Sequence, residues 1–342
     1  MLRFIRNTTS RRPVAVARVS VGLLALVAGP VVRHHLDALF EPSVVRARDF
    51  EWVPDLRPGH VVPLMVLWSL AALGFASGAG VRPCGLAMVA FVAYVFAVDQ
   101  STYAGYLYVV GLLTLLLTLA GGGTPRPGDP EGRAPAWPIV LARIQLSLIY
   151  LFTATAKVNF NFLSGSILHN SLAVPFPSRW PAPSFQAMAV VVIATEYFLG
   201  LGLWVKRVRP AVFLAGFVFH CAIVLLVKGT PMDRLELFVF GFTTLTAYLF
   251  FLEAAPASRA VVWEGGDRPP GWMAAARRLD WLGILDFPPP ASAGRGPAGG
   301  ELTVEAAGVR HRGFAAIGQI LEVLPVSFLW APAFRLYAIV AR

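Results

Sequence analysis

The sequence predicts an all-α polytopic membrane protein of about eight transmembrane helices, followed by a small α/β unit at the C-terminus. Three observations carry that reading. The 342 residues are 56% hydrophobic and only 14% charged, with a mean hydropathy of +0.64, which is more apolar surface than one water-soluble core can hide. Apolar runs able to cross about 30 Å of hydrocarbon as helices recur along the chain. Beyond about residue 254 they give way to proline- and glycine-rich stretches with short patterned segments between them.

Taken in order, the spans fall at about 14–33, 60–80, 83–98, 104–120, 138–157, 185–205, 210–228 and 235–252. Two are short and a neighbouring pair can fuse, so the count is good to one or two. No small-residue cleavage site accompanies the first run, so that span is expected to be retained. Arg3, Arg6, Arg11 and Arg12 precede the first span, Arg82 separates the second and third, Arg126 and Arg133 follow the fourth, and Lys206, Arg207 and Arg209 follow the sixth. Eight spans put all of these on one side, and the positive-inside rule makes that side cytoplasmic. The expected location is the cell membrane with both termini cytoplasmic, although Arg46, Arg48 and Arg57 in the first outer loop run against the rule.

The formal net charge is +10 and the isoelectric point about 10.2. The excess is dispersed over inner loops and tail, a pattern suited to anionic lipid headgroups rather than to nucleic acid. Membrane lipids are therefore expected partners and nucleic acid is not. Cys84 and Cys221 fall inside predicted helices without a partner at metal-ligand spacing, so they read as reduced packing residues, and no metal site is expected. In the tail, prolines and glycines crowd 265–271 and 287–300, ELTVEA from Glu301 reads as a strand, and 313–340 as one or two helices broken at Pro332. Glu322, Pro325, Pro332 and Arg335 make that last run a core or interfacial segment rather than a ninth span.

Ionisable groups at membrane depth are costly unless paired or hydrated, so each is a functional candidate. They are Arg18, Asp99, Arg143, Lys157, Glu196, His220, Lys228 and Glu236. The expected topology puts Asp99, Lys157, Lys228 and Glu236 near the outer surface, Glu196 and His220 about halfway through their helices, and Arg18 and Arg143 about a turn inside the cytoplasmic boundary. Arg18, Arg143 and Lys228 can snorkel or pair. Glu196 must face the bundle, either bridged to a cation such as Arg143 or protonated, and serves as a structural pair or a catalytic carboxylate. His220 is a packing residue or a pocket residue. In DQSTYAGYLY, Asp99, Tyr103 and Tyr106 recur at helical spacing and can line one side of an outward-opening cavity. An interfacial aromatic belt explains the same tyrosines. Lys157, ending the run YLFTATAK, is either an anchor reaching for water or a base. A lysine amine works as a base only where desolvation brings its pKa from about 10.4 toward neutrality.

The segment RIQLSLIYLFTATAKVNFNFLSGSIL, residues 143–168, resembles the most characteristic stretch of the vitamin K-dependent gamma-carboxylase-like family, also called the horizontally transferred transmembrane (HTTM) domain. The family pattern of Arg-x-Gln, Tyr-Phe, Lys, Asn or Asp, an aromatic and Gly is met by Arg143, Gln145, Tyr150, Lys157, Asn159 or Asn161, Phe162 and Gly165. Arg143 and Gln145 take structural polar roles in it. Similarity extends to ARVSVGLLAL, DQSTYAGYLY, the Glu196 helix and the Phe219–His220 pair, covering about 14–252. The resemblance implies that Lys157 is the base that deprotonates vitamin K hydroquinone, with His220 in the pocket. In the eukaryotic carboxylase the oxygenated quinone species then takes a proton from glutamate, carbon dioxide traps the carbanion, and the quinone leaves as an epoxide. Such chemistry needs an apolar, water-poor pocket. Where the family reads Asn-Asn-His or Asn-His, this chain has Ala104, Gly105 and Tyr106, and the Tyr106 phenol can donate a hydrogen bond in place of the missing histidine.

The tail resembles the small thiol-disulfide oxidoreductase family named for its Asp-Cys-Cys (DCC) motif. Trp263-Glu264-Gly265 stand at its strand end, but Asp267 and Pro270 occupy the two cysteine positions. Redox exchange needs an attacking and a resolving thiol, so the resemblance implies a redox-dead, thioredoxin-like remnant.

The expected organisation is a transmembrane domain at 1–253 and a degenerate cytoplasmic thioredoxin-like domain at 254–342. The expected protein is a bacterial-type HTTM relative with an outward-facing apolar pocket lined by Asp99, Tyr103, Tyr106, Glu196 and His220. That pocket takes a quinone-like or lipid ligand beside Lys157, with a reduced quinone as the implied cofactor and carboxylase- or epoxidase-like chemistry. The alternative is a non-catalytic membrane protein that binds or matures a peptide partner, or anchors the tail, with Lys157 paired to Asp99 or Glu236. A transporter ranks lower, because no inverted repeat is evident.

Overall fold

A computed structural model describes residues 8–41, 50, 52–123, 133–173, 180–252, 259–264, 285–286, 301–306 and 309–323. The chain divides into two compact units, Met1–Leu252 and Glu253–Arg342. In the first, a short strand β1 (Thr8–Ser10) leads into helices α1 (Arg11–Ala38), α2 (Pro58–Ser77), α3 (Val81–Val98) and α4 (Gly105–Leu119). Strand β2 (Arg133–Pro135) leads into α5 (Trp137–Ala156), the short α6 (Phe160–Leu163) and α7 (Ser166–Ser171), then α8 (Ala182–Gly202), α9 (Arg209–Leu226) and α10 (Pro231–Ala247).

Local sequence sets the helix ends. Proline in the first turn and glycine just past the last is the preferred asymmetry, and α2 follows it, with Pro58 at its start and Gly78 at φ 87° closing it. A capping box joins Thr230 and Asp233 at the start of α10, with Pro231 between them. Among the described residues seven helices are long and apolar enough to cross a membrane, and α4, of 15 residues, is an eighth, shorter apolar helix. The chain is thus a multi-pass membrane protein, with the expected eight elements resolved into seven long helices and one short.

The short helix is the central one. Ten of its fifteen residues are buried, against α1, α3, α5 and α10, whereas only 17% of the apolar window of α9 is buried. Leu23 and Val27 on α1, Leu70 on α2 and Leu225 on α9 stay exposed, as lipid-facing positions do.

Consecutive long helices run antiparallel, as the bond from Arg18 near the start of α1 to Phe75 at the end of α2 shows. The pairing of β1 with β2 puts the starts of α1 and α5 on one face, called here the near face. Three arginines mark the level at which helices end on it. Arg18 on α1 donates to Gly122 O at 2.8 Å and to Phe75 O at the end of α2. Arg143 on α5 donates to Phe250 O at 2.7 Å, and Arg209 to Leu203 O at 3.0 Å and Phe251 O at 2.6 Å. Each guanidinium satisfies carbonyls left orphaned at helix C-terminal ends, where a cation is also favoured by the helix dipole. Arg18 and Arg143 are therefore paired with carbonyls as clamps, and the cation bridged to Glu196 is Lys157 rather than Arg143.

The stagger of α5 follows from the same clamp. Because Arg143 lies two turns into α5, the start of that helix projects past the ends of α8 and α10 on the near face. Its last residue accordingly stops well short of their far ends.

The second unit holds a four-stranded sheet in the order β4 (Leu285–Asp286), β3 (Arg259–Glu264), β5 (Glu301–Ala306), β6 (Val309–Arg312), followed by α11 (Gly313–Val323). The β3–β4 pair is parallel and the β3–β5 and β5–β6 pairs are antiparallel. Val261, Leu302, Val304, Ala316 and Ile320 form its buried apolar side. The predicted strand from Glu301 and the start of the following helix are present. Asp267, Pro270, Pro332 and the rest of the tail beyond 323 lie outside the described residues.

Candidate functional site

Lys157 is the residue at which α5 ends. Its φ of −82° and ψ of −10° keep the backbone helical for one more position, and Asn159 then caps α6 by accepting from Phe162 N at 3.0 Å. The lysine Nζ lies 2.8 Å from both Oε1 and Oε2 of Glu196 and 3.3 Å from Thr153 O, with the Phe162 ring centroid 6.0 Å away. The amine is thus held by a carboxylate and by a carbonyl at a helix C-terminus. The Lys157 side chain is 28% exposed and that of Glu196 7%.

The partner differs from the ones the sequence suggested. Asp99 and Glu236 are elsewhere, and the cation paired with Glu196 is Lys157, not Arg143. The depth also differs. Glu196 lies about 21 Å along α8 from Ala182, at 1.5 Å per residue. Lys157, bonded to it, therefore sits beside the interior of α8 rather than at the outer surface. The segment beyond it packs back along the far half of α8, where Gly165, at φ 78°, lies so close to Phe185 that a Cβ would be 2.5 Å from the Phe185 Cβ. A bridge between Leu172 and Val227, with Lys228 N donating to Ser171 O at 2.7 Å, fastens its end to the α9–α10 turn.

His220, on α9, is 2% exposed. Its Nε2 lies 2.8 Å from Tyr150 Oη and 3.1 Å from Thr244 Oγ1, and Tyr150 Oη lies 2.9 Å from Tyr248 Oη. Gly216 and Gly241 make room for this network, because a Cβ at either would press on Tyr248 or His220. Tyr150 and Lys157 are seven residues apart on α5, so they share a face, with the phenol about 10 Å toward the near face.

The segment from Asp99 to Tyr106 is not one helix. Asp99 ends α3, is fully buried, and turns its carboxylate back to Ser101 N at 2.9 Å and Ser101 Oγ at 2.6 Å, capping a short 3-10 turn. Tyr103 is 63% exposed, against Phe96 and Tyr108. Tyr106 is buried in the first turn of α4, beside His35. The helical spacing expected of these three fails because the chain changes direction between them. Gln145 donates to Tyr108 Oη at 3.3 Å, a bond between α5 and α4.

The HTTM domain family profile matches residues 7–254. The chain belongs to the HTTM domain family. The match takes in every residue of the Lys157–Glu196 pair and of the His220 network, so the site lies wholly within the HTTM region. No curated protein and no solved structure matches the chain.

Within this HTTM chain, sequence reading missed Tyr248, Thr244 and Arg209 as participants, and it missed His34 and His35 entirely. No spacing rule links them, since their partners lie on other helices. The cue available was the His34-His35 pair itself, two ionisable groups close to the end of a predicted span. Among the described residues no group of three or more His, Cys, Asp or Glu side chains is arranged to hold a metal, and both cysteines are free thiols.

Proposed function

We propose that this HTTM protein binds a quinone-like ligand, delivered from the hydrocarbon, against Lys157, and that the Lys157–Glu196 pair accepts a proton from it in carboxylase- or epoxidase-like chemistry. The carrying observation is an amine bonded to a buried carboxylate in the interior of the bundle, yet 28% exposed. Val158 and Phe160 beside it are 54% and 84% exposed, so the approach to the amine is apolar and suits an aromatic ring rather than a hydrated solute. A reduced quinone, when bound, supplies an acidic hydroxyl. The neutral pair can accept its proton as a unit, ending as an ammonium beside a carboxylic acid, and the ammonium stays next to the ligand oxyanion. Glu196 is thus the proton store and Lys157 the group that touches the ligand. The His220–Tyr150–Tyr248 network lies deeper and holds α5, α9 and α10 in register.

Purified protein in detergent, given vitamin K hydroquinone and oxygen, is expected to form epoxide, and Lys157→Ala and Glu196→Gln are expected to abolish it. Absence of epoxide from the unaltered protein overturns the catalytic reading. A second reading, favoured by the two equal 2.8 Å contacts, has the pair as a pin between α5 and α8 in a non-catalytic protein that binds or matures a peptide partner, or anchors the tail. Under it Lys157→Arg keeps function.

Location in the cell membrane with both termini cytoplasmic is supported by Arg82, Arg133, Lys206, Arg207 and Arg209 on the near face. The strand order of the second unit, with one parallel and two antiparallel pairs and a helix after the last strand, supports a degenerate DCC-type, thioredoxin-like domain. With Asp267 and Pro270 in place of the cysteines it serves docking or stability and not redox exchange.

A further inference from the structure

Lysine is scarce in this chain: Lys157, Lys206 and Lys228 are its three lysines. Lys206 and Lys228 are exposed, and Lys228 Nζ donates to Asn170 O at 3.1 Å. Lys157 sits instead in the bundle, its Nζ 2.8 Å from both oxygens of Glu196 and 3.3 Å from Thr153 O. The Phe162 ring centroid lies 6.0 Å from the same nitrogen. Val158 and Phe160, which follow Lys157, are exposed, so what arrives at the amine from the membrane is apolar. A primary amine beside a proton acceptor is a nucleophile as well as a base.

The buried carboxylate limits what that nucleophile can react with. Acylation leaves the nitrogen neutral and strands the Glu196 charge, whose side chain is only 7% exposed. Condensation with an aldehyde leaves a cation in place. Transfer of one ammonium proton to Glu196 frees the nitrogen lone pair. The C–N bond forms as the carbonyl π bond breaks, and the oxygen takes a proton from that nitrogen, which gives a neutral carbinolamine. Glu196 then returns its proton to the hydroxyl, the C–O bond breaks, and water leaves as the C=N bond forms. Nothing is oxidised or reduced, and the iminium keeps one N–H to donate to the carboxylate.

We infer that Lys157 captures an apolar aldehyde as a protonated imine, with Glu196 first its proton carrier and then its counter-ion. The inference rests on the reading of Lys157 as the ligand-facing group and not on the quinone chemistry. The alkyl chain of the aldehyde lies against Val158 and Phe160 and extends into hydrocarbon, and the Phe162 ring stands beside the iminium. Lys206 and Lys228 meet aldehydes from the water side and serve as internal references.

The test uses the whole chain in phosphatidylcholine nanodiscs, with dodecanal as the probe. Sodium cyanoborohydride fixes each imine as a secondary amine, and peptide mass mapping locates it. Dodecanal is expected to label Lys157 faster than Lys206 or Lys228 by about tenfold or more, a modest share of what a positioned acid–base group supplies. Lys157→Arg keeps a cation for Glu196 and is expected to abolish that adduct while labelling at the other two lysines is unchanged. Glu196→Gln keeps the amine and is expected to slow its labelling to the level of Lys206 and Lys228. Where Glu196→Gln misfolds, as judged by size-exclusion profile, Glu196→Asp takes its place, with its carboxylate drawn back from the amine and labelling again slower. Labelling spread evenly over the three lysines, or unslowed in the folded Glu196 variant, overturns the proposal. Epoxide formation without a Lys157 imine also overturns it and leaves the proposed function standing, whereas the imine without epoxide upholds this inference alone.

Discussion

Lys157 and Glu196 stand at different positions on their helices, one at the end of α5 and the other in the interior of α8, and two contacts of 2.8 Å join them. Neither group could sit there alone. The Glu196 side chain is 7% exposed, and an unpaired carboxylate in that setting is costly. Lys157→Ala is expected to lower stability by about 2–4 kcal/mol, read as a fall in detergent melting temperature. Adding Glu196→Gln to that variant should recover most of the loss, because the stranded charge is gone. Equal melting temperatures for the single and double variants would show that the pair does not carry this energy.

Arg18 is 8% exposed and clamps the ends of α2 and of the glycine turn after α4. Arg18→Met keeps the packing volume and loses the charged hydrogen bonds, so a cost of about 2–3 kcal/mol is expected by thermal unfolding. Gly122, at φ 58°, is part of the same clamp, and a Cβ there would lie 2.5 Å from Val81 Cγ1 and 2.7 Å from Arg18 Cδ. Gly122→Ala should therefore destabilise about as much as Arg18→Met, and the double variant should cost less than the sum, since both act on one contact.

Two buried hydroxyls predict the opposite sign. Thr114 and Thr243 are 0% exposed and their Oγ1 atoms lack hydrogen-bond partners. Thr114→Val and Thr243→Val replace an unpaired hydroxyl with a methyl of the same shape and should be neutral or stabilising by up to about 1 kcal/mol. A clear loss of stability in either would mean that the hydroxyl is bonded within the membrane.

His220 accepts or donates with Tyr150 and Thr244, and Tyr150 reaches on to Tyr248. Tyr150→Phe takes away the shared hydroxyl and should cost about 1–2 kcal/mol by thermal unfolding. Gly216→Val should cost more, since Tyr248 occupies the space its side chain would need.

The orientation is tested by labelling. Ser101→Cys and Lys206→Cys, each in a Cys84→Ser, Cys221→Ser background, put a thiol on opposite faces at exposed positions. A membrane-impermeant maleimide added to intact cells is expected to modify the first and spare the second. The reverse pattern would place the termini outside.

Much of this protein was legible in its sequence because hydrocarbon is a simple solvent. Apolar runs of about twenty residues declare spans, although the last helix begins at Pro231 behind the Thr230–Asp233 capping box rather than at about 235. Even α4, too short to span alone, stood out as apolar. The Lys157 segment likewise carried its family in a local order of residue types. What remained hidden was non-local. The partner of Lys157 is 39 positions away, that of Tyr150 is 70, and Arg143 reaches a carbonyl 107 away. Which of several acidic residues meets the lysine depends on how far α5 slides along α8 and how each helix is rotated. Side-chain packing and the arginine clamps set that slide, and only the folded bundle contains them. Composition and local order thus determined the solvent, the spans and the family; the tertiary structure alone decided which buried charges meet, because stagger and rotation have no signature in a single helix.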